Sequence, residues 1–126
     1  MYEWVRNGTH SPNATIYSSN ITLNRSAISC LQEPLYVMLG IDRIKGQVAI
    51  CPVSSKDVED GLVPEDSTYK ISIGRSYGRI ANRSFCRLLG EVFDLPLSNE
   101  RGMKFAATYD AAEKMLVINL SGGEIE

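Results

Sequence analysis

The amino-acid sequence predicts a mainly β fold with two short helices, built from two copies of one unit. Three observations carry that prediction. The stretch Ile21 to Pro52 reappears in looser form from Arg79 to Leu120, and self-similarity of this kind marks a repeated architecture. Each copy runs from a short β-branched or aliphatic strand through Asn-Arg-Ser into an apolar-stepped segment that ends in Leu. Each then closes with two apolar runs about a charged turn. In the first copy these runs are apolar at nearly every residue, the pattern of strands buried on both faces or closed into a barrel.

Setting Asn24-Arg25-Ser26 on Asn82-Arg83-Ser84 gives an offset of 82 − 24 = 58. At that offset Ala27 falls on Phe85, Ile28 on Cys86, Cys30 on Leu88 and Leu31 on Leu89, so the apolar positions agree. The second copy then carries about ten extra residues, and the register resumes at 110 − 42 = 68. There Ile41-Asp42 meets Tyr109-Asp110, and Val48 to Ile50 meets Leu116 to Ile118 without a gap.

Taken in order, residues 1–19 read as a polar arm, with Tyr2, Trp4 and Val5 to pin its start and Ala14 to Tyr17 as a short edge strand. Ile21 to Leu23 favour a strand. Asn24 stands where an N-cap belongs, because its side-chain oxygen can accept a backbone N–H of the next turn. Ala27, Ile28 and Leu31 follow at helical intervals, and Pro34 ends that helix after little more than two turns. Leu35 to Ile41 and Gln47 to Pro52 flank Asp42 to Gly46, which predicts an antiparallel hairpin and completes a first half over residues 20–53.

Residues 54–67 are acidic and contain Gly61 and Pro64, and they read as a linker. The second half covers residues 68–120 and opens with the alternation Tyr69, Ile71, Ile73, a strand. A turn at Gly74 to Gly78 leads to a second cap at Asn82. Phe85, Leu88 and Leu89 form the helix's apolar face, and Gly90 is placed to end it in a left-handed conformation. Lys104 to Tyr109 and Met115 to Leu120 make the second hairpin about Asp110 to Lys114, and residues 121–126 form a fraying tail.

The chain has 126 residues, enough for one domain or a pair of fused half-domains, with 44% hydrophobic and 22% charged residues in the ordinary globular range. A net charge of −2 argues against a generic polyanion binder but leaves room for a local basic face. The longest apolar run, Leu35 to Ile41, is too short to span a bilayer, and the N-terminus lacks the pattern of a signal peptide. The expected location is the cytoplasm, without membrane association. Cys30, Cys51 and Cys86 form no CxxC and leave an odd one over, which suits reduced core thiols better than a disulfide framework. Asn7, Asn13, Asn20, Asn24, Asn82 and Asn119 each begin a glycosylation-type triplet, read as a by-product of Asn, Ser and Thr usage.

Catalytic chemistry is sparse, so an enzyme is not expected. His10 is the sole histidine and lacks partners for a triad or a zinc site. The acids of the linker lack the ordered spacing of a calcium loop, and no metal or cofactor is called for. Asp42 and Asp110 occupy matching turns, where aspartate is favoured for its backbone hydrogen bonds. The densest basic cluster is Arg75, Arg79, Arg83 and Arg87, with Lys70 and Tyr77 nearby. Guanidinium forks suit phosphate oxygens or a guanine edge. The other reading is a solvated face paired with Glu91, Asp94 or the acidic linker.

Gly78-Arg79-Ile80 before the second helix, Leu89-Gly90 at its end, and the return strands Gln47 to Pro52 and Met115 to Leu120 together resemble the AbrB/SpoVT family of swapped-hairpin DNA-binding domains. The resemblance covers about 90 residues and rests on short words. It implies a duplicated swapped-hairpin β-barrel, in which two copies in one chain build as a pseudo-dimer what two chains build in the family. It also implies a small transcription regulator that binds DNA through Arg25, Lys70, Arg75, Arg79, Arg83 and Arg87. The chain departs from the family in carrying Asn24-Arg25 and Asn82-Arg83 where a Pro-Lys pair is usual. The Arg of Gly-Arg-Ile has no counterpart in the first copy, where Asn20-Ile21 stands. The alternative is an adaptor of the same fold that binds a protein partner, or itself, without binding DNA.

Overall fold

A computed structural model of the chain describes residues 11–61, 63, 67–121 and 123–125. The chain begins with the hairpin β1 (Asn13–Ile16) and β2 (Asn20–Asn24), which leads into α1 (Arg25–Cys30). A second hairpin, β3 (Tyr36–Asp42) and β4 (Gln47–Val53), is followed by α2 (Ser55–Glu59). Next come β5 (Tyr69–Lys70) and β6 (Ser72–Ile73) on either side of Ile71, then β7 (Tyr77–Ala81) and α3 (Arg83–Val92). The hairpin β8 (Met103–Asp110) and β9 (Met115–Asn119) and the short β10 (Glu124–Ile125) complete the order.

The strands form a nearly closed antiparallel barrel in the order β5-β3-β4-β9-β8-β1-β2-β7-β6, with β10 added to β8. The first and last strands of that order are one stretch of chain. β5 pairs with β3, Tyr36 opposite Lys70, whereas β6 pairs with β7, Ser72 opposite Arg79. Ile71 between them is buried, and its N–H donates to the Leu35 carbonyl at 3.1 Å. The in–out alternation runs unbroken from Tyr69 to Ile73, so Ile71 hands one continuous strand from one neighbour to the other.

Strand alternation sets the core. Ala14 and Ile16, Ile21 and Leu23, Val48 and Ile50, Leu116 and Ile118, and Phe105 and Ala107 all point inward and are buried. The other faces of β3, β4 and β9 stay half-buried at Met38, Ala49, Cys51, Met115 and Val117, which is why these strands read as apolar throughout. α1 lays Ala27 and Ile28 on the barrel, and α3 lays Cys86 and Leu89 on it.

Both expected N-caps form. Asn24 Oδ1 accepts from the Ala27 N–H and Asn82 Oδ1 from the Phe85 N–H, each at 3.0 Å. Asn24 also ties β1 to this helix entrance, since its Oδ1 accepts from the Asn13 N–H and its amide donates to the Ser11 carbonyl. The two hairpin turns match in detail. Asp42 Oδ1 accepts from the Ile44 and Lys45 N–H groups, and Asp110 Oδ1 from those of Ala112 and Glu113. Each turn ends in a left-handed residue, Gly46 at φ 67° and Lys114 at φ 54°.

Several expectations are corrected. Among the described residues there are three helices and not two, because Ser54 caps α2 inside the acidic segment read as a linker, its side chain accepting from the Asp57 N–H. The strand expected on the chain's edge is β1, and it lies between β8 and β2. The strand Tyr69 to Ile73 is divided at Ile71. The inward stripe of α3 runs through Cys86 and Leu89, while Leu88 is exposed. Gly90 does not end α3. Asp94 takes the left-handed position at φ 53°, and the Leu95 N–H donates to the Gly90 carbonyl at 3.1 Å, the long bond of a Schellman motif. α1 ends the same way through Gln32 at φ 61°, with the Glu33 N–H donating to the Ile28 carbonyl. The tail is held in part: β10 pairs with β8, and Gly123 lies against the Phe105 ring. Tyr2, Trp4, Val5, Asn7 and His10 lie outside the described residues.

Two glycines should respond oppositely to a methyl group. A Cβ at Gly78 would collide with Ile28 Cδ1 inside the barrel, so Gly78→Ala lowers unfolding free energy by about 1–3 kcal/mol. A Cβ at Gly90 meets only the Leu95 carbonyl and Leu97 Cδ1 at an ordinary 3.6 Å. Gly90→Ala therefore raises stability by about 0.5–1 kcal/mol through helix propensity. Urea unfolding of both variants checks the pair of signs.

Candidate nucleic-acid interface

The β2–β7 ladder organises the basic residues. Its pairs run from Asn24 opposite Tyr77 to Asn20 opposite Ala81, with Thr22 opposite Arg79 at the centre. Ile21, Leu23, Gly78 and Ile80 alternate inward, so Thr22 and Arg79 face outward. Ser72 of β6 lies beside Arg79, Thr15 of β1 beside Thr22, and Lys104 of β8 beside Thr15. A single outward row thus reads Ser72, Arg79, Thr22, Thr15, Lys104, with Thr15 buried within it, and the register continues to Glu124 of β10 opposite Lys104. Across β6, β7, β2, β1 and the part of β8 paired with β1, no outward residue is acidic; besides the two cations they are Asn, Thr, Ser, Tyr and Ala.

The ladder ends in helix entrances that place further arginines. Arg25 opens α1 immediately after the cap Asn24, and Arg83 opens α3 immediately after the cap Asn82. Arg75 lies at the exposed tip of the β6–β7 hairpin, closed by the Gly74 N–H donating to the Tyr77 carbonyl. Arg25 and Arg75 therefore flank one end of the ladder, Arg79 occupies its middle, and Arg83 stands at the other end with Arg87 one turn further along α3. Four residue steps separate the end pairs, about 13 Å at roughly 3.3 Å per residue.

Two of the six predicted residues are held by acids. Arg25 Nη2 pairs with Glu33 Oε1 at 2.7 Å, and Arg87 Nε pairs with Glu91 Oε1 at 3.3 Å. Both pairs are largely solvated, where such contacts are weak and easily exchanged for another anion. Among the described residues, Lys70, Arg75, Arg79 and Arg83 have no ion pair. Lys70 is exposed on β5 in the ladder with β3, on the far side of Ile71 from the other five. Asp94 serves as a helix terminator and not as an arginine partner.

Lys104 belongs to the row and was not singled out in the sequence. Its signal is the alternation Met103, Lys104, Phe105, Ala106, which marks it as outward, but only the placement of β1 between β8 and β2 brings it to this face. The other candidates have structural roles. Asp42 and Asp110 hold turns, and Asn24, Asn82 and Asn119 make caps or a cross-strand bond, Asn119 Oδ1 accepting from Gln47 Nε2. The three cysteines are free thiols. Among the described residues no group of His, Cys, Asp and Glu can hold a metal ion, and no helix is long and apolar enough to cross a membrane. No protein-family model, no characterised protein and no solved structure matches the chain.

Burial pushes the Cys86 thiol up to about 11 and keeps it neutral, which removes it as a nucleophile at physiological pH. The unfolded chain ionises this thiol near its ordinary 9.0, whereas the folded chain retains the proton. Its contribution is therefore intact below pH 9 and is lost as pH rises toward 11. Thermal melts from pH 8 upward should show a decline in wild type that is shallower in Cys86→Ala. Alkylation of the native protein at neutral pH should leave Cys86 unmodified.

Proposed function

We propose that the chain is a non-enzymatic DNA-binding regulator, a duplicated swapped-hairpin barrel of AbrB/SpoVT type. The observation that carries the reading is the acid-free outward face about the β2–β7 ladder, with Arg79 at its centre and arginines at both ends. Its span of about 13 Å is comparable with the roughly 12 Å width of a B-DNA major groove. Guanidinium groups on such a face suit phosphates and guanine edges, and Asn, Ser and Thr between them suit sugar–phosphate contacts. The net charge of −2 does not oppose this, because association follows the local field.

The second sequence offset supports the duplicated part of the reading, whereas the first does not, because it sets the buried Ile21 on the exposed Arg79 and so reverses the faces of β2 and β7. At offset 68, Ala49 corresponds to Val117, and these two residues are themselves paired between β4 and β9. Strands of the two halves also interleave: β2 and β4 of the first half pair with β7 and β9 of the second, and β5 of the second with β3 of the first. The second reading, a protein-binding adaptor, draws on the half-exposed Met38, Ala49, Cys51, Met115 and Val117 on the outer face of β3, β4 and β9.

Fluorescence anisotropy with a pool of random duplexes tests the assignment. About four phosphate contacts give a slope of log K against log salt of roughly −3.5, and Arg79→Ala or Arg83→Ala each reduces its magnitude by about one. The Lys70→Ala variant, on a separate ladder, should leave the slope nearly unchanged. Absence of binding at low salt would rule out DNA binding by the isolated chain.

A further inference from the structure

The stripe Arg83, Cys86, Arg87, Gly90 and Glu91 of α3 forms one wall of a groove of about 360 Å³, with Leu95 and Leu97 across from it and Ser18 at one end. This size falls in the range of about 300–1,000 Å³ typical of small-molecule sites. Its interior is apolar: the buried Cys86, the bare backbone of Gly90, and the two leucines. Gly90 is what keeps it open. No positive φ requires glycine there and a Cβ would make only ordinary contacts, yet glycine weakens a helix interior relative to alanine. Any side chain beyond a methyl would enter the space beside Leu97.

The rim supplies charge of one available sign. Arg87 and Glu91 are paired with each other, while Arg83 lines the groove with no ion pair among the described residues. A groove of similar size, about 380 Å³, lies at the end of α1 against Leu31, Pro34, Leu35 and Pro52, but its only charged lining residue is Asp57. The two grooves differ in the sign of the charge they offer.

We infer that the α3 groove binds a small amphipathic carboxylate, its apolar body against Gly90, Leu95 and Leu97 and its carboxylate forked by Arg83. The site needs no nucleic acid to form. Where DNA is bound through Arg83, carboxylate and phosphate compete for one guanidinium, and occupancy of the groove lowers DNA affinity.

The test uses octanoate as probe and amide NMR shifts of the full chain as readout, without DNA. Saturable shifts in the low-millimolar range at Cys86, Gly90, Leu95 and Leu97, and none at the α1 groove, are expected. Octylamine, of the same length and opposite charge, should not reproduce them. Arg83→Gln should weaken octanoate binding about tenfold or more. Gly90→Leu, which fills the groove from the helix side, should abolish binding while the barrel resonances stay in place. Unsaturable shifts spread over the barrel, equal binding of octylamine, or unchanged affinity in Arg83→Gln would overturn the inference. Loss of DNA binding alone would leave it standing, because this readout contains no DNA.

Discussion

The architecture depends on how one short segment closes a sheet. Residues 69 to 73 serve as its first strand and its last, and Ile71 is the joint. Its N–H is satisfied by Leu35, outside both ladders, and its buried side chain, with that of Ile28, packs against the bare Cα of Gly78. Closure leaves few open strand edges, which is how barrels avoid edge-to-edge association. It also forces Ser72, on β6, to lie beside Arg79 and Lys70, on β5, to lie in another ladder. The distribution of basic groups on the surface is thus a consequence of the change of partner at Ile71.

Local stereochemistry recurs in residues 20–53 and 68–120 even where the residues differ. The helices α1 and α3 each start from an asparagine cap and end in a Schellman turn whose left-handed residue is Gln32 in one case and Asp94 in the other. The hairpins β3–β4 and β8–β9 each turn on an aspartate that accepts two backbone N–H groups, and end on Gly46 or Lys114. The hydrogen-bonding geometry persists while glycine is dispensable, because the cost of a left-handed L-residue, about 1–2 kcal/mol, is offset by the carbonyls and amides it satisfies.

Charge is organised by face and not by total. Apart from Glu124, which β10 sets opposite Lys104, the acids near the basic face lie on or beside helices, Glu33 just after α1 and Glu91 within α3, where they hold Arg25 and Arg87 in solvated pairs. The strands between carry none outward. Arg79 at the centre of this surface and Arg75 and Arg83 toward its ends have no ion pair among the described residues. Arg83 also lines the α3 groove.

What the sequence determined by itself lies within a few residues along the chain. Asn24 and Asn82 cap helices, Asp42 and Asp110 build turns, and the alternation on each strand selects the inner face, because these outcomes depend on a side chain and backbone groups two to four positions away. The tertiary structure decided everything that depends on pairing at a distance: the interior position of β1, the change of partner at Ile71, the arrival of Lys104 beside Thr15, the separation of Lys70 from the arginines, and the opening of a groove at Gly90. A strand's pattern states which of its faces is apolar but not which strand will lie beside it. The arginines were legible as a cluster in sequence, whereas their alignment along one ladder required the β2–β7 register, which is set by the whole barrel closing at once.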